Sequence, residues 1–236
     1  MEKQSNSINH TMEKAYKYTN WIGAEMKQGV IFDLDGTLWD SVANVAKAWD
    51  EVVQELNPAL GRILPEDIRG LFGLSMDIIA VGLFPTLSRE EAVKLLDICC
   101  ARENEYLEQH GGNLYPGLES MLKELQVSYK LFIVSNCQSG YIEGMLRHYG
   151  FEHYFTDFEC YGNANLPKAE NIKRIIERNR ISKAVYIGDI QGDYDSAVKA
   201  GVPFIHAAYG FGTINELVPR AESVKDLIPL IKEILV

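Results

Sequence analysis

Residues 29–41 read GVIFDLDGTLWDS, and this stretch decides the fold. The apolar run Val30-Ile31-Phe32 is a buried-strand pattern that feeds two carboxylates, Asp33 and Asp35, into a turn at Gly36-Thr37. Burying one carboxylate is costly and two at alternate positions repel each other, so a cation or a shared proton is needed to hold them together. Magnesium suits the pair, because it is a hard ion that takes oxygen ligands and bridges carboxylates to phosphate. Asp and Gly also end strands as plain turn residues. At ordinary residue usage, however, the four fixed positions of D-x-D-G-T arise only about once per 10⁵ starting points.

Downstream of Asp40 the pattern is helical. Val42, Val45, Ala46, Trp49, Val52, Val53 and Leu56 recur at helical spacing up to Asn57-Pro58. Shorter helices are expected over Glu66–Phe72 and Met76–Phe84. The S-x-x-E box at Ser88-Arg89-Glu90-Glu91 opens another, which runs to His110 and stops at Gly111-Gly112. A strand-ending motif followed by roughly 70 helical residues exceeds any ordinary crossover. This tract, residues 40–112, is therefore read as a small helical domain inserted after the first strand.

From Tyr115 onward helices and strands alternate. Strands are expected at Lys130–Ser135, Phe158–Tyr161, Ala184–Gly188 and Pro203–Ala207. Helices are expected from Pro116-Gly117 to Leu125, then over Ser139–Tyr149, Ala169–Asn179, Asp195–Ala200 and Asp226–Leu235. That alternation implies an α/β core with a Rossmann-like parallel sheet covered by helices on both faces, formed by residues 26–39 and 113–236. Residues 1–25 are polar and of mixed charge, and read as a loosely ordered N-terminal extension. Met26, just ahead of the first strand, offers an alternative start.

Open parallel sheets bind ligands at the carboxyl ends of their strands. Those ends carry Asp33-Leu34-Asp35-Gly36-Thr37, Ser135-Asn136, and Gly188-Asp189 with Asp193 four residues on, while Lys168 precedes the third helix of the core. Each type has a place in phosphoryl transfer. Asp33 can attack phosphorus, and Asp35 can protonate the leaving alcohol and then deprotonate water. Ser135 and the N–H groups after it, Asn136 included, suit phosphate oxygens, as do Gly36 and Thr37. Lys168 balances the negative cluster, Asp189 completes a magnesium shell, and Asp193 holds the metal's water or orients Lys168. Taken singly, Ser-Asn is an ordinary helix cap, Lys168 an ordinary surface lysine, and Asp195 an exposed helix-start charge.

Taken in order, the four motifs resemble those of the haloacid dehalogenase-like (HAD) superfamily, down to the trailing Ala197, Ala200 and Gly201. The likeness runs from about Val30 to Ala207, with the helical insert where that superfamily carries a type 1 cap. It implies Asp33 as nucleophile and Asp35 as general acid/base, with Asp33, the Asp35 backbone carbonyl and Asp189 on magnesium and Asp193 behind them. The second acid resembles the phosphatase branch, which includes families such as phosphoglycolate phosphatase and β-phosphoglucomutase, since dehalogenating members lack it. One departure is Ile190, where many members carry Thr. Arg69, Gly73 and Ser75, in the segment RGLFGLS, are the cap residues expected to reach substrate.

The implied activity is magnesium-dependent hydrolysis of a small phosphorylated metabolite through an aspartyl-phosphate. Alternatives are a phosphomutase of the β-phosphoglucomutase type and a phospho-aspartate signalling module, against which the long insert and the D-x-D-G-T spacing argue. The 236 residues carry a net charge of −10, which disfavours nucleic acid and anionic membranes as partners, and no oligomeric state is specified. No apolar run approaches a membrane span or a secretory signal. The four cysteines form no C-x-x-C pair, so a reduced, cytoplasmic setting is expected.

Overall fold

The computed structural model describes residues 27–236; the expected N-terminal extension lies outside the described residues. Strand β1 (Gln28–Phe32) is the apolar run of the opening stretch, buried along most of its length. It pairs in parallel with β4 (Lys130–Ser135) on one side and β6 (Lys183–Gly188) on the other. Including β5 (Phe155–Cys160), β7 (Phe204–Ala207) and β8 (Arg220–Ala221), the sheet is six-stranded, all parallel, in the order β5-β4-β1-β6-β7-β8. The strand of the opening stretch thus lies in the middle of the sheet, where neither edge meets solvent.

Both faces are covered, as a parallel sheet requires. Successive strand residues point to opposite faces. Accordingly Val30, Phe32, Ile133 and Ile187 join one core with α5 (Leu118–Leu125), α6 (Tyr141–Tyr149) and α10 (Leu227–Leu235). Ile31, Phe132, Val134 and Tyr186 join a second with α8 (Lys168–Asn179) and α9 (Gln191–Ala200). A fully buried Val, Leu, Ile or Phe stabilises by about 1.5–3 kcal/mol, so this double burial dominates the stability of the sheet.

Between β1 and the rest of the sheet stands the helical tract. It comprises α1 (Val42–Leu56), α2 (Pro65–Arg69), α3 (Met76–Leu83) and α4 (Arg89–His110), with α1 packed along α4. Ser88 caps α4 with both bonds of the expected capping box, and Gly111 ends it at φ +66°. The chain leaves and re-enters through two short strands, β2 (Trp39–Asp40) and β3 (Asn113–Leu114), paired antiparallel. Each is too short to show a period in sequence. At Gly112 an added Cβ would lie 2.9 Å from the Trp39 ring, so this crossing accepts only glycine without movement.

Several boundaries differ from the sequence reading, among them the helix expected over Glu66–Phe72, which is Pro65–Arg69, and the one expected from Ser139, which starts at Tyr141; two others have a clear physical cause. Strand β5 begins at Phe155, not Phe158, because an edge strand with one neighbour tolerates the polar Thr156 and Asp157 that conceal it. Helix α9 begins at Gln191 rather than Asp195, because the Asp193 side chain accepts the Ile190 N–H and caps the first turn. The short helix α7 (Tyr161–Ala164) links β5 to the loop before Lys168.

Candidate active site

The opening motif folds into a tight turn because its backbone is hydrogen-bonded at both ends. The Asp33 N–H donates to the Ile187 carbonyl at 2.8 Å, holding Asp33 beside β6, and the Gly36 N–H donates to Trp39 at 2.9 Å. Gly36 sits at φ +80°, and a Cβ there would lie 2.0 Å from Oδ2 of Asp189. Gly210 crowds the same carboxylate from the other side, with a hypothetical Cβ 2.4 Å from the Asp189 Cβ. Two glycines therefore let Asp189 reach the Asp33 turn.

Lys168, the first residue of α8, is buried, and its ammonium bridges Asp33 Oδ1 at 2.9 Å and Asp193 Oδ1 at 2.6 Å. Asp193 Oδ2 accepts the backbone N–H groups of Asp189 and Ile190, at 3.0 and 3.2 Å. Its oxygens thus serve Lys168 and the loop after β6. Asp189 Oδ2 accepts the Phe211 N–H at 2.7 Å, and His206 Nε2 donates to the Asp189 carbonyl at 3.2 Å.

Asp33, Asp189 and Asp193 each place a carboxylate oxygen within 4.8 Å of the others. Three buried carboxylates against one ammonium leave two excess negative charges. Burial, the Asp193 charge and, weakly, Asp35 push the Asp33 carboxyl up to about 7 despite Lys168. Burial together with Asp193 and Asp33 drives Asp189 well above its ordinary value. Burial alone would lower Lys168, but the two carboxylates outweigh it and hold the ammonium well above the usual lysine range. A divalent cation held by Asp33 and Asp189 would cancel that excess, so the donor set fits a hard metal ion.

Asp35 has a different environment. Its Oδ1 accepts the Ser41 hydroxyl at 2.6 Å and the Tyr141 hydroxyl at 2.8 Å, and those two hydroxyls lie 2.9 Å apart. Burial pushes its carboxyl up to about 6 against the pull of these two donors. The two motif acids are therefore separated by partner: Asp33 faces an ammonium, Asp35 two hydroxyls.

Asp33, Asp35, Ser135 and Asn136 line one cleft with Gly73 of the helical tract. The Asn136 amide donates to the Gly73 carbonyl at 2.8 Å, so it ties the tract to the sheet. Gly73, at φ +81°, passes so close to Ile190 that a Cβ would fall 2.4 Å from its Cδ1. Ile190, the departure noted in the sequence, packs against that loop. Arg69 instead pairs with Asp40 at 3.3 Å and lies over the Phe211 ring at 5.2 Å, and the Ser75 hydroxyl donates to Asp77 at 2.7 Å. Neither lines the cleft. The Thr37 hydroxyl is fully buried without a hydrogen-bond partner among the described residues, while its carbonyl accepts from Tyr209.

Sequence reasoning passed over Ser41, Tyr141 and Phe211. Ser41 closes the opening stretch, six residues past Asp35, and Tyr141 opens the helix after Ser135, so both were within reach of a search for carboxylate partners. Phe211 reaches Asp189 through its backbone N–H, for which no sequence signal exists.

The α/β sheet thus brings four acids, a serine and a buried lysine together at one end. Residues 30–207 match the haloacid dehalogenase-like hydrolase family. Phosphoglycolate phosphatase of Vibrio parahaemolyticus is 30% identical over 199 residues, covering 77% of this chain and 84% of its own. Phosphoglycolate phosphatase of Vibrio cholerae is 28% identical over 212 residues, covering 84% and 91%. Among solved structures, a haloacid dehalogenase-like hydrolase from Streptococcus pneumoniae superposes with a TM-score of 0.74 at 21% identity, covering 87% of this chain and 98% of its own. A 2-haloacid dehalogenase from Pseudomonas syringae pv. tomato superposes with 0.60 at 21%, covering 88% and 99%, a likeness of fold. This chain belongs to the haloacid dehalogenase-like hydrolase family. Its two Vibrio relatives named above are phosphatases. Among the described residues no helix is long and apolar enough to cross a membrane.

Proposed function

We propose that the protein hydrolyses a small phosphorylated metabolite through an aspartyl-phosphate on Asp33, with magnesium held by Asp33, Asp189 and the Asp35 backbone carbonyl. The observation that carries this reading is the division of labour between the motif acids: Asp33 is paired with Lys168, and Asp35 with Ser41 and Tyr141. When bound, magnesium supplies positive charge to the carboxylates and to the phosphoryl oxygens.

In the first half-reaction an Asp33 oxygen forms a bond to phosphorus as the bond from phosphorus to the ester oxygen breaks. Asp35 gives its proton to that departing oxygen, releasing the alcohol. With Oδ1 occupied by two donated hydrogen bonds, Oδ2 is the atom that carries this proton. In the second, Asp35 takes a proton from water as the water oxygen bonds to phosphorus. The bond from phosphorus to Asp33 then breaks, releasing inorganic phosphate and restoring both acids. Ser135 and the buried Thr37 hydroxyl are suited to phosphoryl oxygens, and Lys168 keeps Asp33 oriented while offsetting charge.

In this reading residues 40–112 form a cap domain over a core of residues 26–39 and 113–236. The cap excludes water while the paired strands at Trp39–Asp40 and Asn113–Leu114 serve as its neck. Magnesium-dependent phosphate release from p-nitrophenyl phosphate, abolished in Asp33→Asn, is the expected result. Normal turnover by Asp33→Asn would overturn the mechanism. A readout independent of turnover is thermal: magnesium at 100 times its Kd adds about 2.7 kcal/mol to stability, and Asp189→Asn loses that increment.

A further inference from the structure

The cleft contains an acid that the proposed chemistry does not use. Glu103, on α4, is 3% exposed, yet among the described residues it forms no ion pair. Its donors are all neutral: the Trp49 indole, Nε1 to Oε2 at 2.7 Å, with the Gln138 amide and the Cys100 thiol beside it. Neutral donors only partly compensate a buried carboxylate, so this arrangement is costly to the folded enzyme by itself. Burial, helped by the Asp35 charge, pushes the Glu103 carboxyl up to about 8 against the pull of these donors.

The location gives that cost a purpose. Glu103 and Trp49 line the cleft that contains Asp33 and Asp35, together with Gln138 and the apolar Ile68, Phe72 and Ile79. No lysine or arginine is among the residues lining it. Lys168, buried beneath, is already committed to Asp33 and Asp193. Arg69, the basic side chain expected from the sequence to enter, is held by Asp40 and Phe211 instead. An anionic group on the alcohol half of a substrate would meet two carboxyls and no counter-charge. A hydroxyl or amine would give Glu103 a further donor from the substrate itself, and its carbon skeleton would lie along the apolar wall.

Building on the phosphatase reading, we infer that Glu103 is a specificity-determining residue, selecting phosphomonoesters whose alcohol half is uncharged or cationic and offers an O–H or N–H donor, and disfavouring those bearing a carboxylate. The phosphoglycolate of the named relatives carries such a carboxylate, so this cleft departs from their substrate. A site built to hydrogen-bond a substrate group discriminates strongly against analogues lacking it, because its own buried polar atom is then left unpaired.

The test compares kcat/KM for glycerol 3-phosphate, ethanolamine phosphate and phosphoglycolate, with p-nitrophenyl phosphate as a reference. For the wild-type enzyme the better of the first two is expected to exceed phosphoglycolate by about tenfold or more. Glu103→Gln should shrink that ratio, and Glu103→Lys should invert it toward phosphoglycolate, whatever happens to absolute rates. The thermal midpoint of Glu103→Gln should equal or exceed that of the wild type, because a buried acid without a cationic partner has been removed. Preference of the wild type for phosphoglycolate overturns the inference. So does a ratio unchanged in Glu103→Gln with a lowered midpoint, which is the signature of a purely structural acid. Failure to hydrolyse p-nitrophenyl phosphate at all would instead remove the phosphatase reading, and this inference with it.

Discussion

Replacing Tyr141 by Phe removes one hydroxyl from Asp35 and little else. The ring stays against Trp39, with centroids 5.7 Å apart and planes at 70°, so packing is preserved. The lost bond is the 2.8 Å donation to Oδ1, which favours the ionised carboxylate and therefore lowers the Asp35 pKa. A hydrogen bond to a charged group is worth about 1.5–3 kcal/mol, and each pKa unit is about 1.36 kcal/mol. Ser41 still donates at 2.6 Å and loses its competing contact to Tyr141, so the lower end applies and the expected rise is about one unit above the value near 6. Asp35 must be protonated to release an alkyl alcohol, so activity on an alkyl phosphate falls as pH rises through its pKa. The basic limb of kcat/KM against pH should accordingly move up by about one unit in Tyr141→Phe. With p-nitrophenyl phosphate, whose leaving group departs without a proton, the limb should stay in place. An alkyl-phosphate limb that does not move, or that moves down in a variant with a wild-type thermal midpoint, would refute the assignment of Asp35.

Other substitutions probe the frame around these acids. Lys168→Met leaves Asp33, Asp189 and Asp193 without their ammonium; breaking a buried pair this way costs about 3–5 kcal/mol, read by denaturant midpoint, and phosphate release should vanish. Gly36→Ala places a methyl at φ +80° and 2.0 Å from Asp189, so the variant should lose activity and magnesium-dependent stabilisation together in a thermal titration. Asp50 Oδ1 accepts the Ile63 N–H at 2.9 Å, and the same carboxylate takes the Arg62 guanidinium, whose bond is the main reason the carboxyl lies below its ordinary value of 3.8. A depressed value means stability that is present above pH 3.8 and lost as pH falls through the folded-state pKa. Because Arg62 is solvent-exposed, Asp50→Asn should cost only about 1 kcal/mol at pH 7, and the gap to wild type in urea titrations should close in acid.

The division between legible and hidden follows the range of the interactions. Sequence periodicity carries the parallel sheet, because strands buried on both faces must be continuous apolar runs and amphipathic helices must repeat every three to four residues. Glu91 three residues after Ser88 and glycine after His110 fix the ends of α4, since both bonds of a cap lie within one turn of chain. The first half of edge strand β5 and the two-residue neck strands escaped, as their pairing partners supply what their own residues do not announce.

For the site, residues 29–41 alone determine that two acids leave a buried strand into a glycine turn, since steric and desolvation costs act locally. Which acid meets which partner is a tertiary matter. Lys168 reaches Asp33 across 135 residues of chain and Tyr141 reaches Asp35 across 106, because β4, which Tyr141 follows, pairs with β1, and β5, which Lys168 follows, lies parallel beside β4, so both segments come to the same end of the sheet. Folding likewise turned Arg69 toward Asp40 and Phe211 and placed Glu103, an unremarked acid in a long helix, inside the cleft. Sequence specified the chemical groups; only packing decided their electrostatic surroundings, because burial and neighbouring charge are properties of the assembled chain.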